Sequence, residues 1–236
     1  LDQVLMVLRE KLLLKPFLTN TITLNSGKKA RMALINVGNA DLEFIECAES
    51  PLPSHMSRIK EVHLQLPNIQ EANILELEKG LEIWTAPGKK SAIHTIICES
   101  TCPEKDVEVL LYSCDNCYEH PLPHGGRNFI FDDTNIQLLE KTILGNNVPK
   151  PEDLSTFHGW RRFSLHFKQL EEAVNLLKSS GAVVVVPIFQ VMPGLREAMM
   201  SLPSGLIVQP VEQKLLRMMP TFFWQKLTEK KEKINA

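Results

Sequence analysis

Cysteine and histidine residues between positions 94 and 124 have the spacing that comes closest to a metal site. Cys98 and Cys102 are separated by three residues, and Cys114 and Cys117 are separated by two. Paired thiolates at such spacing, with imidazoles nearby, can close a tetrahedral zinc site. The predicted zinc ligands are Cys114, Cys117, His120 and His124.

A zinc site made of all four cysteines is not expected. Residues 92–99 and 107–113 are interpreted as the two strands of a hairpin, with Cys102 at its tip and Cys114 and Cys117 at its far end. At about 3.3 Å per residue, roughly 30 Å of strand would separate the two pairs. Thiols that are buried or lie in loops are the alternative interpretation, in which case no cofactor is bound.

The other sequence patterns that could indicate catalysis are either absent or explained by structure. Asp132, Asp133 and Thr134 precede a helix predicted from about residue 135 to residue 144, and these residue types cap helices. No serine or cysteine lies in a nucleophile elbow. The segment after the predicted strand 182–186 lacks the glycines of a phosphate-binding loop. These patterns favour a non-catalytic protein over an enzyme.

Basic residues recur in predicted loops, and two of them are flanked by aromatic residues. Arginine beside aromatic rings can bind phosphate and stack on nucleobases, although lysines at hairpin tips are usually features of a solvated surface. The predicted nucleic-acid contacts are Lys28, Lys29, Lys89, Lys90, Arg161 and Arg162.

The C-terminal segment is rich in methionine and large aromatic residues. Such residues are enriched in the cores of protein interfaces, and the alternative is that they belong to the core of the chain itself. The predicted partner-binding residues are Leu215, Met218, Met219, Phe222, Phe223 and Trp224.

Periodicity and turn residues predict an α+β fold with two lobes. Residues 1–150 are expected to form a lobe of antiparallel hairpins and meanders with helices. Within it, a helix is predicted over residues 1–14, a meander of three strands over 21–24, 30–37 and 42–47, and a helix from Asn68. Residues 145–159 are interpreted as a linker or long surface loop. Residues 151–236 are expected to form a smaller α/β lobe that contains a βαβ unit and ends in two amphipathic helices, over 211–219 and 221–233. A helix is also predicted in the segment that runs from Ser164 to its stop at Gly181. In the βαβ unit, strands 182–186 and 206–209 are predicted to be parallel and joined by a helical crossover.

The composition limits the function further. The chain is 44% hydrophobic and 23% charged with a formal net charge of -2, so it has no bulk attraction to nucleic acid or anionic membranes. Five cysteines without a secretory pattern indicate a reducing compartment, the cytoplasm or nucleus. The start at Leu1 suggests an excised segment, and no apolar run is long enough to span a bilayer.

The function predicted from these features is a non-catalytic protein-interaction or scaffold module of a larger intracellular protein or complex. Its expected partner is another protein. The alternatives are a nucleic-acid-associated subunit of a DNA- or RNA-processing complex, including the case of a degenerate enzyme, and a zinc-containing protein.

Overall fold

The chain is described in a computed structural model. The residues that it describes are 1–23, 27, 29–46, 58–66, 81–85, 92–114, 117–122, 126–131, 133–140, 162–192 and 194–214. The architecture is α+β, as predicted, with three helices and three sheets in this part of the chain.

The N-terminal elements are a helix and an antiparallel meander. Helix α1 (Asp2–Lys11) precedes strands β1 (Pro16–Thr23), β2 (Lys29–Asn36) and β3 (Asp41–Glu46). The three strands pair in chain order, since each is joined to the next by a tight connection. The predictions of the helix and the meander are confirmed.

The next elements are four strands of a larger sheet and one helix. They are β4 (Ile59–Leu66), β5 (Leu81–Thr85), β6 (Ala92–Ser100), α2 (Pro103–Ser113) and β7 (Cys117–Pro121). Strands β8 (Arg127–Phe131) and β9 (Thr134–Glu140) complete it. The strand order is β5-β4-β6-β9-β8-β7, with β6 parallel to β9 and antiparallel to β4.

The last elements that the structure describes are the four strands of a further sheet and one helix. They are β10 (Phe163–His166), α3 (Leu170–Ser179), β11 (Val183–Met192), β12 (Leu195–Ser201) and β13 (Ile207–Gln213). The strand order is β10-β13-β12-β11, and β10 is parallel to β13 while the other pairs are antiparallel.

Two units of the chain have the same topology. The unit β6-α2-β7-β8-β9 and the unit β10-α3-β11-β12-β13 each run strand, helix, three strands, with the first strand paired in parallel to the last. We call each a βαβββ module. Because β1, β2 and β3 follow α1 in the same order, α1 and the N-terminal meander together correspond to the last four elements of such a module.

One hydrophobic core covers the helix-side faces of the sheets. It contains Leu8 of α1, Leu110 of α2 and Leu177 of α3, each fully buried, together with Phe129 and Met200 from the strands. The side chains that alternate with these core residues lie on the opposite face of each sheet, because successive strand residues point to opposite sides. That opposite face, on which none of the three described helices lies, is called the helix-free face below.

The predicted hairpin between residues 92 and 113 is wrong. Residues 92–100 do form β6, but Pro103–Ser113 is α2, with a proline in its first turn where proline is tolerated. Val107 and Leu110 face the core at helical spacing. The apolar residues of this segment fit both the period of a strand and the period of a helix. Packing against β8 and α3 selects the helix.

The helix predicted from residue 135 to 144 is also wrong where the chain is described. Thr134–Glu140 is β9, and Ile136 and Leu138 are buried in alternation. Asp133 lies in the tight turn between β8 and β9 rather than at a helix N-terminus. Residues 141–144 lie outside the described part of the chain.

The predicted parallel crossover between strands 182–186 and 206–209 is wrong. Leu195–Ser201 is a strand, so β11, β12 and β13 form an antiparallel meander. β11 is an edge strand, and Val183 is 51% exposed. The β-branched run therefore indicates a strand correctly, but it does not indicate that the strand lies in the centre of the sheet. The parallel partner of β13 is β10, which the sequence interpretation missed.

Several predictions fall on residues that the structure leaves undescribed: the helix from Asn68, the linker 145–159 and the amphipathic segment 221–233. The amphipathic segment 211–219 is undescribed from residue 215, and its residues 211–213 belong to strand β13 instead. The division into lobes at residue 150 stays a prediction. Among the described residues, no helix is long and apolar enough to cross a membrane.

Candidate functional site

Polar side chains collect on the helix-free face of the four-stranded sheet. Leu165 of β10 and Val208 of β13 belong to the core shared with α3. Ser164 and Gln209, which alternate with them, therefore point away from α3. Ser164 and Gln209 are register partners, and the Ser164 hydroxyl donates to Oε1 of Gln209 at 3.1 Å.

Glu197 of β12 lies on the same face. Its neighbour Arg196 contacts Glu171 of α3, so Arg196 is on the helix side and Glu197 is on the opposite side. Two residues along β12, Met199 packs with Ile207 in a small apolar cluster separate from the main core. This apolar cluster adjoins the polar one.

Arg162 joins this sheet to the N-terminal meander. Nη2 of Arg162 donates to Oε2 of Glu43 on β3 at 3.0 Å, and Nε donates to Oε1 of Gln209. The Arg162 side chain is 13% exposed and Gln209 is 3% exposed, whereas the Glu43 side chain is 32% exposed. The charge pair is thus partly withdrawn from water and held by residues 119 positions apart.

Glu197 has an unusual acidity in this setting. Burial raises the pKa of Glu197 to about 7, because the charged carboxylate loses solvation. The Arg162 guanidinium opposes this shift, the Glu43 carboxylate adds to it, and a hydrogen bond with Gln209 opposes it. A carboxyl group with a pKa near neutrality can both accept and donate a proton at physiological pH.

The polar cluster does not suit a bound divalent metal ion. It consists of Glu43, Arg162, Ser164, Glu197 and Gln209. The cation that Glu43 faces is already the guanidinium of Arg162. Over the described ranges, no group of three or more His, Cys, Asp or Glu side chains could hold a metal ion. The cluster is suited instead to proton transfer and to hydrogen bonding of a ligand oxygen.

A dependence of stability on pH follows from the raised pKa of Glu197. A carboxyl with a higher pKa in the folded protein than its ordinary 4.5 favours folding in its protonated form. We expect the free energy of unfolding to fall by about 3 kcal/mol as the pH rises from 4.5 to 7, since each pKa unit is worth about 1.4 kcal/mol. Urea unfolding of the wild type and of Glu197→Gln between pH 4.5 and 8 measures it. An unchanged slope in the variant would assign the effect to other groups.

A repeated hexapeptide marks three strands and could have revealed part of this cluster. The sequences DLEFIE in β3, NIQLLE in β9 and IVQPVE in β13 share an apolar residue, then Glu or Gln, then two further non-polar residues and Glu. The third positions are Glu43, Gln137 and Gln209, on the helix-free faces. The similarity was missed because the three strands were assigned to different kinds of element.

The two βαβββ modules differ at the position of the arginine. Arg162 precedes the first residue of α3 by eight residues, and Thr95 precedes the first residue of α2 by the same number. Gln137 corresponds to Gln209, but the six-stranded sheet has a threonine where the four-stranded sheet has a guanidinium. The charged cluster is therefore a property of the second module together with β3.

The structure separates the predicted zinc ligands that it describes. Cys117 and His120 lie on β7 three residues apart, so they point to opposite faces. Cys117 packs against the core and its thiol donates to the carbonyl oxygen of Cys114 at 2.7 Å, while the exposed His120 ring contacts Tyr118 edge-on. Burial makes Cys114 at the end of α2 a core residue. His124 lies outside the described residues.

The predicted nucleic-acid contacts are not brought together as far as they are described. Lys29 is exposed at the start of β2, and Arg162 is in the cluster with Glu43 and Gln209. Lys28, Lys89, Lys90 and Arg161 lie outside the described residues, so nucleic-acid contact stays a prediction. The same holds for the predicted partner-binding residues Leu215, Met218, Met219, Phe222, Phe223 and Trp224.

Comparison with known proteins finds similarity in structure alone. No protein-family model matches the sequence, and no curated protein matches it. The structure of glyoxalase I from Zea mays aligns with a TM-score of 0.62 at 9% identity, covering 89% of this chain and 88% of the maize chain. A point variant of the same enzyme aligns with the same TM-score at 8% identity.

A shorter protein also aligns. It is a glyoxalase/bleomycin resistance protein/dioxygenase from Alicyclobacillus acidocaldarius, with a TM-score of 0.41 and 11% identity, covering 55% of this chain and 96% of its own.

The prediction of a non-catalytic scaffold module or complex subunit is wrong. It depended on the absence of any catalytic pattern in the sequence and on the methionine- and aromatic-rich C-terminal segment. Over 89% of its length the chain instead shares the architecture of an enzyme. This chain has the fold of glyoxalase I from Zea mays.

Proposed function

We propose that this chain is an enzyme that transfers a proton at the carbon next to the carbonyl group of a small molecule. The substrate binds at the helix-free face of the four-stranded sheet. Glu197 is the general base and acid, Arg162 binds the carbonyl oxygen, and Gln209 and Ser164 position these two side chains.

The observation that carries this proposal is the Glu197 carboxyl group, with a pKa of about 7 beside a guanidinium. Acid–base catalysis is most effective when the pKa of the group lies near the working pH. A pKa displaced by burial and by specific neighbours is more common at active sites than elsewhere, although structural networks also produce it. The likeness in fold to an enzyme supports the catalytic interpretation.

Arg162 is suited to an electrophilic role. A guanidinium carries five N–H donors, and the contacts with Gln209 and Glu43 use two of them. A further N–H can donate to a carbonyl oxygen, where negative charge develops when the neighbouring C–H bond breaks. Donors already in place for that charge are among the strongest contributions to catalysis.

The proposed reaction balances without an added oxidant or reductant. The carboxylate of Glu197 removes the proton from the carbon next to the carbonyl, and the electron pair of the C–H bond moves to the carbonyl oxygen as an enolate. In a 2-hydroxycarbonyl compound the hydroxyl proton then passes to the enolate oxygen, and Glu197 returns its proton to the former carbonyl carbon as the former hydroxyl oxygen becomes the new carbonyl oxygen. The product is the isomer of the substrate, and the carboxylate is regenerated. The predicted reaction class is isomerisation.

Deuterium exchange tests this proposal without knowledge of the natural product. The purified chain is incubated in D2O with a panel of small 2-hydroxyaldehydes, 2-hydroxyketones and 2-oxoaldehydes, and ¹H NMR follows loss of the signal at the carbon next to the carbonyl. We expect accelerated exchange for at least one compound, with isomerisation of the same compound. Exchange at the uncatalysed rate across the whole panel would contradict the proposal.

We also keep the proposal that the chain acts in the cytoplasm or nucleus. The four described cysteines are thiols rather than disulfides, and burial raises the pKa of Cys98, which makes it unreactive. Fractionation of cells that express the tagged protein would contradict the proposal if the protein were found in the secretory pathway.

A further inference from the structure

We propose that Glu43 makes the site selective for uncharged ligands, because its carboxylate occupies the guanidinium that would otherwise bind a carboxylate or phosphate group. The inference rests on the proposed function for the place of the site, and it adds the class of substrate. Glu43 is thus a specificity-determining residue rather than a catalytic one.

Arg162 is the cation of the cluster. Among the described residues that act electrostatically on Glu197, Arg162 is positive and Glu43 is negative. The planar fork of a guanidinium matches the oxygens of carboxylates and phosphates, which is why arginine is the usual residue in sites for such groups. Glu43 already supplies a carboxylate to that fork at 3.0 Å.

The charges of the cluster disfavour an anionic ligand. Glu43 and Arg162 cancel, so the net charge is -1 when Glu197 is ionised and 0 when Glu197 is protonated. An added carboxylate or phosphate would bring like charges together in a place that is partly withdrawn from water, which is costly. A neutral carbonyl compound adds no charge.

The same charge count is compatible with the proposed proton transfer. When Glu197 takes a proton from a neutral substrate, Glu197 becomes neutral and the substrate becomes an enolate anion. The net charge of ligand and cluster stays at -1 throughout. With an anionic substrate the total would be -2, so the arrangement discriminates against such substrates in both the bound state and the transition state.

Glu43 can be changed with little damage to the core. Its side chain is 32% exposed, and it belongs to β3 of the meander. The other cluster residues belong to the four-stranded sheet, except Arg162, which directly precedes strand β10 of that sheet. Glutamine has nearly the same shape and lacks the charge. Glu43→Gln therefore leaves the guanidinium in place and removes the negative charge that neutralises it.

An anion titration followed by NMR at the Arg162 Nε–H signal tests the inference, with inorganic phosphate as the probe. We expect no saturable shift in the wild type and a saturable shift in Glu43→Gln, with at least about tenfold tighter binding, since an opposing carboxylate near 4 Å is worth a factor of this order or more. Addition of Arg162→Gln to the first variant should abolish the binding. Titration with acetate should rank the wild type and the variants in the same order of affinity.

Glu46→Gln is the matched control. Glu46 lies on the same strand, and it contacts Arg31 and the N-terminal amine instead of Arg162. Glu46→Gln should titrate like the wild type. Saturable phosphate binding at Arg162 in the wild type, or its absence in both the wild type and a folded Glu43→Gln, would overturn the inference.

Thermal unfolding supplies a second readout. Removing Glu43 leaves a largely buried guanidinium without its carboxylate, so the midpoint of Glu43→Gln should fall and should recover in phosphate more than the midpoint of the double variant does. Equal recovery in both would overturn the inference. Neither measurement needs a substrate, so a failed exchange assay and a failed titration are separate results.

Discussion

Glu197→Gln is expected to slow exchange of the proton next to the substrate carbonyl by about 10²- to 10⁴-fold, the usual contribution of a general acid or base. Glutamine keeps the shape of the side chain and can still hydrogen bond with Gln209, but it cannot take up the proton. The measurement is the rate of deuterium incorporation under saturating substrate. Binding of the substrate should change much less than the rate.

The wild-type rate should also depend on pH in a defined direction. The base must be ionised to remove a proton, and the pKa of Glu197 is about 7. The rate should therefore rise about tenfold per pH unit below pH 7 and level off above it. Glu197→Gln should lose this dependence.

Glu172→Gln is the control for this variant. Glu172 is an exposed glutamate in the first turn of α3, on the other side of the sheet. Its replacement should leave the exchange rate and its pH profile unchanged. A Glu197→Gln protein with more than about a tenth of the wild-type rate would remove Glu197 from the role of general base.

Asp106→Ala is expected to lower the free energy of unfolding by about 2–4 kcal/mol. Asp106 of α2 is fully buried, and its two oxygens accept hydrogen bonds from the Ser100 hydroxyl at 2.7 Å and from the Ser204 backbone N–H at 3.1 Å. Alanine would leave both donors unsatisfied where water does not reach them. Urea unfolding monitored by circular dichroism gives the value.

The contact with Ser204 makes this effect extend to both βαβββ modules. Asp106 lies in the helix of the first module, and Ser204 lies in the turn between β12 and β13 of the second. Probes of unfolding placed in either module should therefore report the same shift of the transition to lower urea concentration. Asp133→Ala, which changes an exposed aspartate in a turn, is the control and should cost less than about 0.5 kcal/mol. A loss of that size in Asp106→Ala would show that water or other groups satisfy the two donors.

Elements with strong local signals could be predicted. Helix α1 and helix α3 carry apolar residues at helical spacing with clear stops, and the meander has tight turns between alternating strands. In these segments local propensity and tertiary packing favour the same structure. The α+β class followed from them.

Segments whose apolar residues fit two periods were misassigned. Val107, Val109 and Leu111 alternate, yet Pro103–Ser113 is a helix, in which the adjacent residues Val109 and Leu110 are both buried in the core. A strand would place these two neighbours on opposite faces. Conversely, Thr134–Glu140 follows acidic residues that would cap a helix, yet it is a strand between β6 and β8. The neighbouring elements decide such cases, and a single sequence does not contain that information locally.

The polar cluster depends on tertiary structure almost entirely. Arg162 was singled out in the sequence for its charge and its aromatic neighbours, but its partner Glu43 is 119 residues away, and neither Gln209 nor Glu197 stands out in its own segment. Their proximity follows from the order of strands in two sheets. The raised pKa of Glu197 follows from burial, which the residue type does not reveal.

The sequence alone thus determined the class of fold, the N-terminal helix and meander and the helix at Leu170–Ser179, because short-range periodicity and turn residues specify them. Only the tertiary structure decided the two βαβββ modules and the cluster of Glu43, Arg162, Gln209 and Glu197. Strand pairing joins residues that are distant in sequence, and the pairing energy comes from contacts that form only when the whole sheet is assembled.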